Sequence, residues 1–437
     1  MLSAELNELI TATGPATKCG DLLRQYWQPA ALTVELEGER PVKAVRLLGE
    51  DLVLFRDEKQ RYGLMDKQCP HRGADLCYGR REDGGLRCPF HGWLFDVTGQ
   101  CTQMPGEPVE SRMHEKISIK AYPCIEKNGI VFAYMGTGNP PPLPDFDCLM
   151  APDDYTFAFK GLMECNWLQA LEVGIDPVHA SFLHRYLEDE DLETAYGKQF
   201  RGAASKTDIP VTQVLREYPR PQINVDETDY GLRLTTTRDL PDNARHVRVT
   251  NLAFPQAIVI PMSSDMVITQ WHVPVDDTHC YWYSIFTDFS KKVDKKLMRE
   301  QRQTLYEMPD YVPKINKSNN YGFDAQEQKT KTYTGMGDDI NVHDQWAVES
   351  PGPIYDRTKE HLASSDKAIV AYRRMLRSAI TACENNDPLP ALANGNPLNL
   401  KGPVAIDTVG TMDNWDTIWK QTDMDRRAAS DWAKDPW

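Results

Sequence analysis

Two short stretches, Cys69-Pro-His71 and, sixteen residues on, Cys88-Pro-Phe-His91-Gly-Trp93, constrain this chain more than anything else in it. They supply two thiolates and two imidazoles in a C-x-H…C-x2-H pattern. Two soft sulfur ligands and two borderline nitrogens brought together by short loops suit iron or zinc. The order of the ligands separates the two metals. Most structural zinc sites of this composition take C-x2-C with H-x3-5-H, whereas here each loop contributes one Cys and one His. A binuclear cluster can then take both cysteines on one iron and both histidines on the other. Each loop also carries the small, rigid residues of a tight cradle: Pro70 and Gly73 in the first, Pro89 and Gly92 in the second. Turns at such residues aim backbone N–H groups at cluster sulfurs.

That arrangement is the ligand set of a Rieske [2Fe-2S] centre, whose His ligation raises the reduction potential to roughly −150 to +300 mV. The surrounding text supports it. From about residue 40 to 135, stretches such as VKAVRLLGEDLVLFRD and ISIKAYPCIEKNGIVFAYMG alternate apolar and polar residues between Gly, Asp and Asn turns. Short strands at this spacing predict a small β-sandwich or barrel with the ligand loops on hairpin tips. A helical arm precedes it, and the proline-rich joint Gly138-Asn-Pro-Pro-Pro-Leu-Pro144 closes it. We therefore expect an arm over 1–39, an all-β cluster domain over 40–144 and a second domain over 145–437.

Composition narrows the setting. A net charge of −15 over 437 residues argues against general affinity for nucleic acid or for anionic membrane surfaces. No run of eighteen apolar residues predicts a membrane span, and MLSAELNELITATG has no basic n-region followed by an apolar core. Ten cysteines in so long a chain, two of them in the cluster motif, do not form a disulfide framework. A cytoplasmic protein with its other thiols reduced is expected.

The second domain opens with a helix predicted over Asn166–Leu171 and broken near Gly174. Asp176-Pro177 reads as an N-cap with proline at the first helical position. His179 and His184 follow, five apart. On a regular helix they point about 140° apart, so they share an ion only if the helix bulges or ends between them. Two histidines and one carboxylate make the facial triad of a non-haem Fe(II) oxygenase, with open positions for O2 and substrate. Asp338, Asp339, Asp344 and Glu349, in GMGDDINVHDQWAVESPG, are the candidates for the third ligand. Glu172 and Glu349 are candidates to fix the far nitrogens of the histidines.

The Rieske loops, the D-x2-H-x4-H stretch and the late H-D-Q-x4-E segment together resemble the large (alpha) subunit of Rieske non-haem iron aromatic ring-hydroxylating oxygenases, over residues 40 to 365. The resemblance implies an α+β architecture, an all-β Rieske domain followed by an antiparallel-sheet catalytic domain with covering helices. It implies a mononuclear Fe(II) on His179, His184 and Asp344 beside the Rieske cluster on Cys69, His71, Cys88 and His91. It also implies that Asp176 bridges to His71 of an adjacent chain, within a trimer or stacked hexamer.

DPVHASFLHRYLEDED, YGKQFRG, HVRVTN and TQWHVPVDD look like the phthalate dioxygenase-like branch. That branch implies an aromatic carboxylate and O2 as substrates and a cis-dihydrodiol as product. Electrons would come from NADH through a separate flavin/iron–sulfur reductase, since the chain has no G-x-G-x-x-G strand–turn–helix of its own. Arg clamps a carboxylate better than Lys does, and alignment to the branch places the clamp on Arg245, with Arg248 nearby. Lys206 beside Asp208 stands where a second clamp is sought, which keeps isophthalate or a meta-substituted benzoate open beside phthalate. Alternatives are a monooxygenase or demethylase acting on a meta-substituted benzoate, a Rieske electron carrier without mononuclear iron, and a zinc-binding interaction protein. The tail's Trp415, Trp419, Trp432 and Trp437 are expected to cover a core edge or a subunit contact.

Overall fold

Ser3 and Thr17 accept hydrogen bonds from the amides of Leu6 and Gly20 and start two helices, α1 (Ala4–Thr11) and α2 (Lys18–Arg24). They form the amino-terminal arm of the computed structural model, which describes residues 1–187, 211–392 and 400–434. Strand β1 (Trp27–Leu32) follows at once. It is apolar apart from Gln28 and buried on both faces, as expected of a strand packed into a core rather than a linker.

The cluster domain is built from β1 with β2 (Val42–Leu47), β3 (Glu50–Arg56), β4 (Tyr62–Asp66), β5 (Arg80–Glu82), β6 (Gly85–Arg87), β7 (Leu94–Asp96), β8 (Cys101–Gln103), β9 (Ala121–Tyr122), β10 (Cys124–Lys127) and β11 (Ile130–Tyr134). They make three small sheets, β2-β3-β4-β9, β5-β6-β7-β8 and β1-β11-β10. The pairing of β1 with β11 moves the domain's start back from the expected residue 40. Val53, Phe55, Leu76, Leu86 and Phe95 pack with both motif cysteines into a separate small core.

The second domain is an eight-stranded sheet whose pairings are all antiparallel. Its strands are β12 (Thr156–Met163), β13 (Gln222–Thr228), β14 (Gly231–Asp239), β15 (Ala244–Ala253), β16 (Ala257–Pro261), β17 (Met266–Pro274) and β18 (Cys280–Asp288), in the order β12-β18-β17-β16-β15-β14-β13. After the short hairpin β19 (Tyr306–Glu307) and β20 (Val312–Pro313), β21 (Ile406–Thr411) pairs with residues 244–249 of β15, while β16 takes residues 251–253. Helix α3 (Trp167–Gly174) lies on β16 and β17 and packs on α4 (Ile340–Glu349); α5 (Lys367–Asn385) meets α2, and α6 (Trp415–Ala429) covers β21 and β15.

One continuous apolar core runs from Ile10 in the arm through β1 and β11 into the large sheet and α5. The arm is therefore packed as part of the second domain. Trp419 is buried under α6, and Trp432 lies 5.0 Å from Phe289, so these two cover a core edge as expected. Trp437 lies outside the described residues. All ten cysteines are free thiols, and no described helix is long and apolar enough to cross a membrane.

Two of the buried charge networks join separate elements of the fold. Lys160 of β12 reaches Glu35 at 2.8 Å. Glu172 of α3 binds Arg357 at 2.9 Å and Arg373 of α5 at 2.5 Å, while Arg357 also donates to Asn7 of α1. Burial works to raise the Glu172 carboxyl, but Arg357 and then Arg373 outweigh it and hold the group below the usual carboxylate range. Glu172 is thus an internal tie between the arm and two helices. Removing one partner of such a network leaves buried charge uncompensated, at about 3–5 kcal/mol. We expect Glu172→Gln to lose that much in urea unfolding near neutral pH. Because the folded carboxyl is depressed, its contribution is complete above the unfolded carboxylate range and is lost as pH falls through the lower folded value. The gap between wild type and variant should therefore narrow in acid.

Candidate active site and metal centres

The two cluster loops fold alike. The first leaves β4 and the second joins β6 to β7. Cys69 N–H donates to Ala74 O and Gly73 N–H to Cys69 O, both at 2.8 Å; Cys88 N–H donates to Trp93 O at 2.8 Å and Gly92 N–H to Cys88 O at 2.9 Å. Gly73 and Gly92 both take positive φ, 73° and 75°, where a side chain would be strained. The cysteines are buried and the histidines half-buried at the tips. The His71 and His91 rings lie 4.4 Å apart, and His71 stacks on Trp93 at 4.3 Å.

These residues fit a Rieske cluster. Burial first, with Cys88 adding to it, pushes the Cys69 thiol up to about 11, and a coordinated metal would hold it as the thiolate. His71 Nδ1 is buried with no hydrogen-bond partner among the described residues, a costly state for a polar atom unless a metal takes it.

The second centre depends on where a helix stops. Asn166 caps α3 by accepting from the Leu168 amide at 3.1 Å, and α3 ends at Gly174. Asp176 Oδ1 then accepts from the Val178 amide at 2.8 Å, so its capping role is realised, in a bend rather than at the start of a regular helix. A single 3₁₀ turn follows over His179–Ser181. With the helix ended, His179 and His184 face one point, their ring centroids 5.1 Å apart.

Of the four carboxylates left open, the structure brings Asp344 of α4 to them. Its Oδ1 lies 3.2 Å from His184 Nε2 and 3.9 Å from His179 Nε2, and one donor atom from each residue falls within 4.8 Å of the others. Asp338 pairs with Lys331 at 2.6 Å, Asp339 caps α4, and Glu349 accepts from Tyr321 Oη at 2.8 Å and from the Glu164 amide. Neither Glu172 nor Glu349 therefore supports the histidines, which corrects that expectation: each is spent on a buried network of its own.

The donor chemistry fits a divalent iron. Burial, then His184, keeps His179 below its ordinary value and hence neutral. Burial works to raise Asp344, but His184, then His179 and His343, hold it low and ionised. Its Oδ1 is buried without an aligned hydrogen bond among the described residues. Two imidazoles and one carboxylate on one side leave open positions on the other.

These positions open into a cavity of about 180 Å³ between α3, α4 and the sheet. Even-numbered residues face it: Thr236 of β14, Arg248 and Thr250 of β15, Ile258 and Ile260 of β16, and Ile268, Gln270 and His272 of β17. Arg302 reaches it from the helix Lys295–Gln303. Burial pushes His272 down to about 3, so it is a neutral hydrogen-bonding group, 3.2 Å from Gln270.

Arg245 does not line the cavity. It is three residues from Arg248 and so on the opposite face of the strand. There it pairs with Asp239 at 2.7 Å and lies over Trp415 of α6. Of the two β15 arginines, Arg248 is the one that lines the cavity, bound by Asp407 directly across on β21 and by the Pro261 carbonyl at 3.3 Å. Lys206, Asp208 and the YGKQFRG stretch lie outside the described residues. His272 was missed as a site residue; strand alternation with Ile268 and Gln270 is the signal that finds it.

Comparison with known proteins agrees. Residues 26–123 match the Rieske [2Fe-2S] domain family and residues 133–420 the family described as LigXa C-terminal domain like. The chain is 34% identical to the phthalate 4,5-dioxygenase oxygenase subunit of Pseudomonas putida, over 87% of each chain. It is 32% identical to the tert-butanol monooxygenase / tert-amyl alcohol desaturase oxygenase subunit of Aquincola tertiaricarbonis, over 88% of this chain and 79% of that one. It is also 32% identical to the 3-chlorobenzoate-3,4-dioxygenase oxygenase subunit of Comamonas testosteroni, over 88% and 90%. In fold it resembles dicamba monooxygenase bound to dicamba, with a TM-score of 0.56 at 18% identity, over 83% of this chain and 98% of that one. An iron–sulfur cluster domain joined to a mononuclear iron domain defines a class of O2-using enzymes. The chain belongs to the Rieske non-haem iron oxygenases, as the oxygenase subunit of a ring-hydroxylating or demethylating system.

Asp344→Ala is expected to abolish iron loading of the second centre and leave the cluster's visible absorption intact. Metal analysis of the purified variant checks this.

Proposed function

We propose that this chain converts an aromatic carboxylate of the phthalate or isophthalate type to a cis-dihydrodiol, using O2 and electrons that come from NADH through a separate reductase. The observation that carries this reading is the cavity: an apolar slot that opens on the His179–His184–Asp344 set and holds Arg248 in its wall. Bound iron supplies the O2 chemistry here, and the cluster supplies single electrons. The residues do the positioning. Ile258, Ile260 and Ile268 give the ring an apolar bed, and Arg248 offers a carboxylate its charge-assisted donors. Asp407 and the Pro261 carbonyl engage its Nη1 and Nη2 and hold the guanidinium plane. Arg302, at the same cavity, supports a second anionic substituent.

In this reading Asp176 faces His71 of a neighbouring chain in a trimer or stacked trimers. Its exposed side, half-buried next to the iron histidine turn, suits that role. A second reading has its own support. The likeness to a tert-butanol monooxygenase component supports monooxygenation, and 32% identity to a 5,5'-dehydrodivanillate O-demethylase oxygenase subunit supports O-demethylation, here of a meta-substituted benzoate at the same residues.

The test is NADH-driven O2 uptake with product analysis, using the holoprotein, a phthalate-type reductase, and phthalate, isophthalate, terephthalate and 3-substituted benzoates. A cis-diol from one of them supports the proposal; a phenol or released formaldehyde moves it to the second reading; absence of any substrate-stimulated uptake overturns both. With the accepted carboxylate, Arg248→Met should raise KM roughly 10- to 100-fold, as loss of a charge-assisted hydrogen bond does. Arg245→Met, on the other face of the strand, should leave KM unchanged.

A further inference from the structure

The two iron histidines are held by different devices. His179 Nδ1 bonds the Asp176 carbonyl, so it carries the proton and its Nε2 lone pair is left for metal. Among the described residues His184 Nδ1 has no carbonyl or carboxylate partner. It meets Nδ1 of another imidazole, His343, at 3.4 Å, the two rings only 23° from parallel. His343 is fully buried on α4, one residue before Asp344.

The far side of His343 decides which nitrogen carries its proton. His343 Nε2 lies 2.9 Å from the Gly337 carbonyl, and a carbonyl oxygen only accepts. Nε2 is therefore the donor, and in a neutral ring Nδ1 is a bare acceptor. His184 must then donate from its own Nδ1, which leaves its Nε2 unprotonated and facing Asp344, 3.2 Å away. The Gly337 carbonyl is itself fixed. Gly337 sits at φ +75°, and its amide donates to Glu327 Oε1 at 2.9 Å, which also takes the Thr332 hydroxyl at 2.8 Å.

We infer that His343 is a positioning residue for the iron: through the Gly337 carbonyl it sets the tautomer and ring plane of His184. This rests on the reading of His179, His184 and Asp344 as the iron site. Residues 343 and 344 then act as a unit, one supplying a ligand and the other orienting a ligand from a different element. The glycine-rich turn before α4 serves to present one carbonyl to His343.

The test is Fe(II) affinity, measured on protein stripped of mononuclear iron with its cluster retained, together with the electron paramagnetic resonance line shape of the ferrous–nitric oxide adduct. Asparagine places an oxygen where His343 has Nδ1 and so keeps the acceptor for His184. Glutamine places an amide where His343 has Nε2 and so keeps the bond to Gly337 but loses that acceptor. His343→Asn should bind Fe(II) within a few-fold of wild type with a similar line shape. His343→Gln and His343→Leu should bind roughly 10- to 100-fold more weakly, as loss of a partner behind a metal ligand does, with an altered line shape. A purely structural role would be rescued by glutamine instead. The inference is overturned if the glutamine variant binds like wild type, or if asparagine is as weak as leucine. Should the leucine variant fail to fold, the asparagine–glutamine contrast decides alone. Asp344→Ala runs beside them: if it binds Fe(II) like wild type, the iron-site reading fails rather than the role of His343.

Discussion

The catalytic half of this protein depends on a close approach between one helix end and one strand. α3 is seated on the sheet by Trp167, Leu168, Ala170 and Leu171, all fully buried. It comes down so tightly that a Cβ on Gly174 would stand 2.4 Å from Ile258 Cδ1. There the helix stops. The backbone is handed to an aspartate-capped bend, and the next residues are free of helical periodicity. Two histidines five apart can then look at the same point above Ile258, and α4 lowers a carboxylate onto that point from the other side. The cavity is the space this seating leaves between helix ends and sheet.

The cluster cradle follows a different logic. Its two loops are near copies in their main-chain hydrogen bonds, each closing from a cysteine carbonyl to a glycine four residues on. Each is local, so each holds its ligands with little help from the rest of the chain. The result is polar in direction: sulfurs inside against Phe55, Leu76 and Phe95, imidazoles outside at the tips. Phe90 is 55% exposed beside His91, with Arg72 over its ring.

Legibility in the sequence divides along the same line. The cluster ligands could be read from residue type and order, because four ligands in two loops are a local pattern. The iron histidines were legible as a pair, but their convergence needed the helix break, which Gly174 and Pro177 hinted at. The choice of Asp344 over Asp338, Asp339 and Glu349 came from resemblance; in the structure it follows from what occupies the other three. The arginine was misplaced for a simple reason. In ARHVRVTN, both Arg245 and Arg248 sit on a strand, and which face is the cavity depends on the remote helix α6 (Trp415–Ala429) covering Val247 and Val249. Glu172 was misjudged because its partners, Arg357 and Arg373, are equally remote. β1 was not legible as a strand because it does not alternate: both its faces are covered.

One feature of the sheet bears on how the enzyme comes into being. β15 is shared: its second half pairs with its sequence neighbour β16, but its first half waits for β21, about 160 residues further along. Asp407, which grips Arg248, arrives on that strand. Contacts of such separation form late in folding and leave a strand edge open until they do. The cavity wall is thus closed by a strand remote in sequence, and Arg248 meets its partner Asp407 only once β21 is paired along the first half of β15.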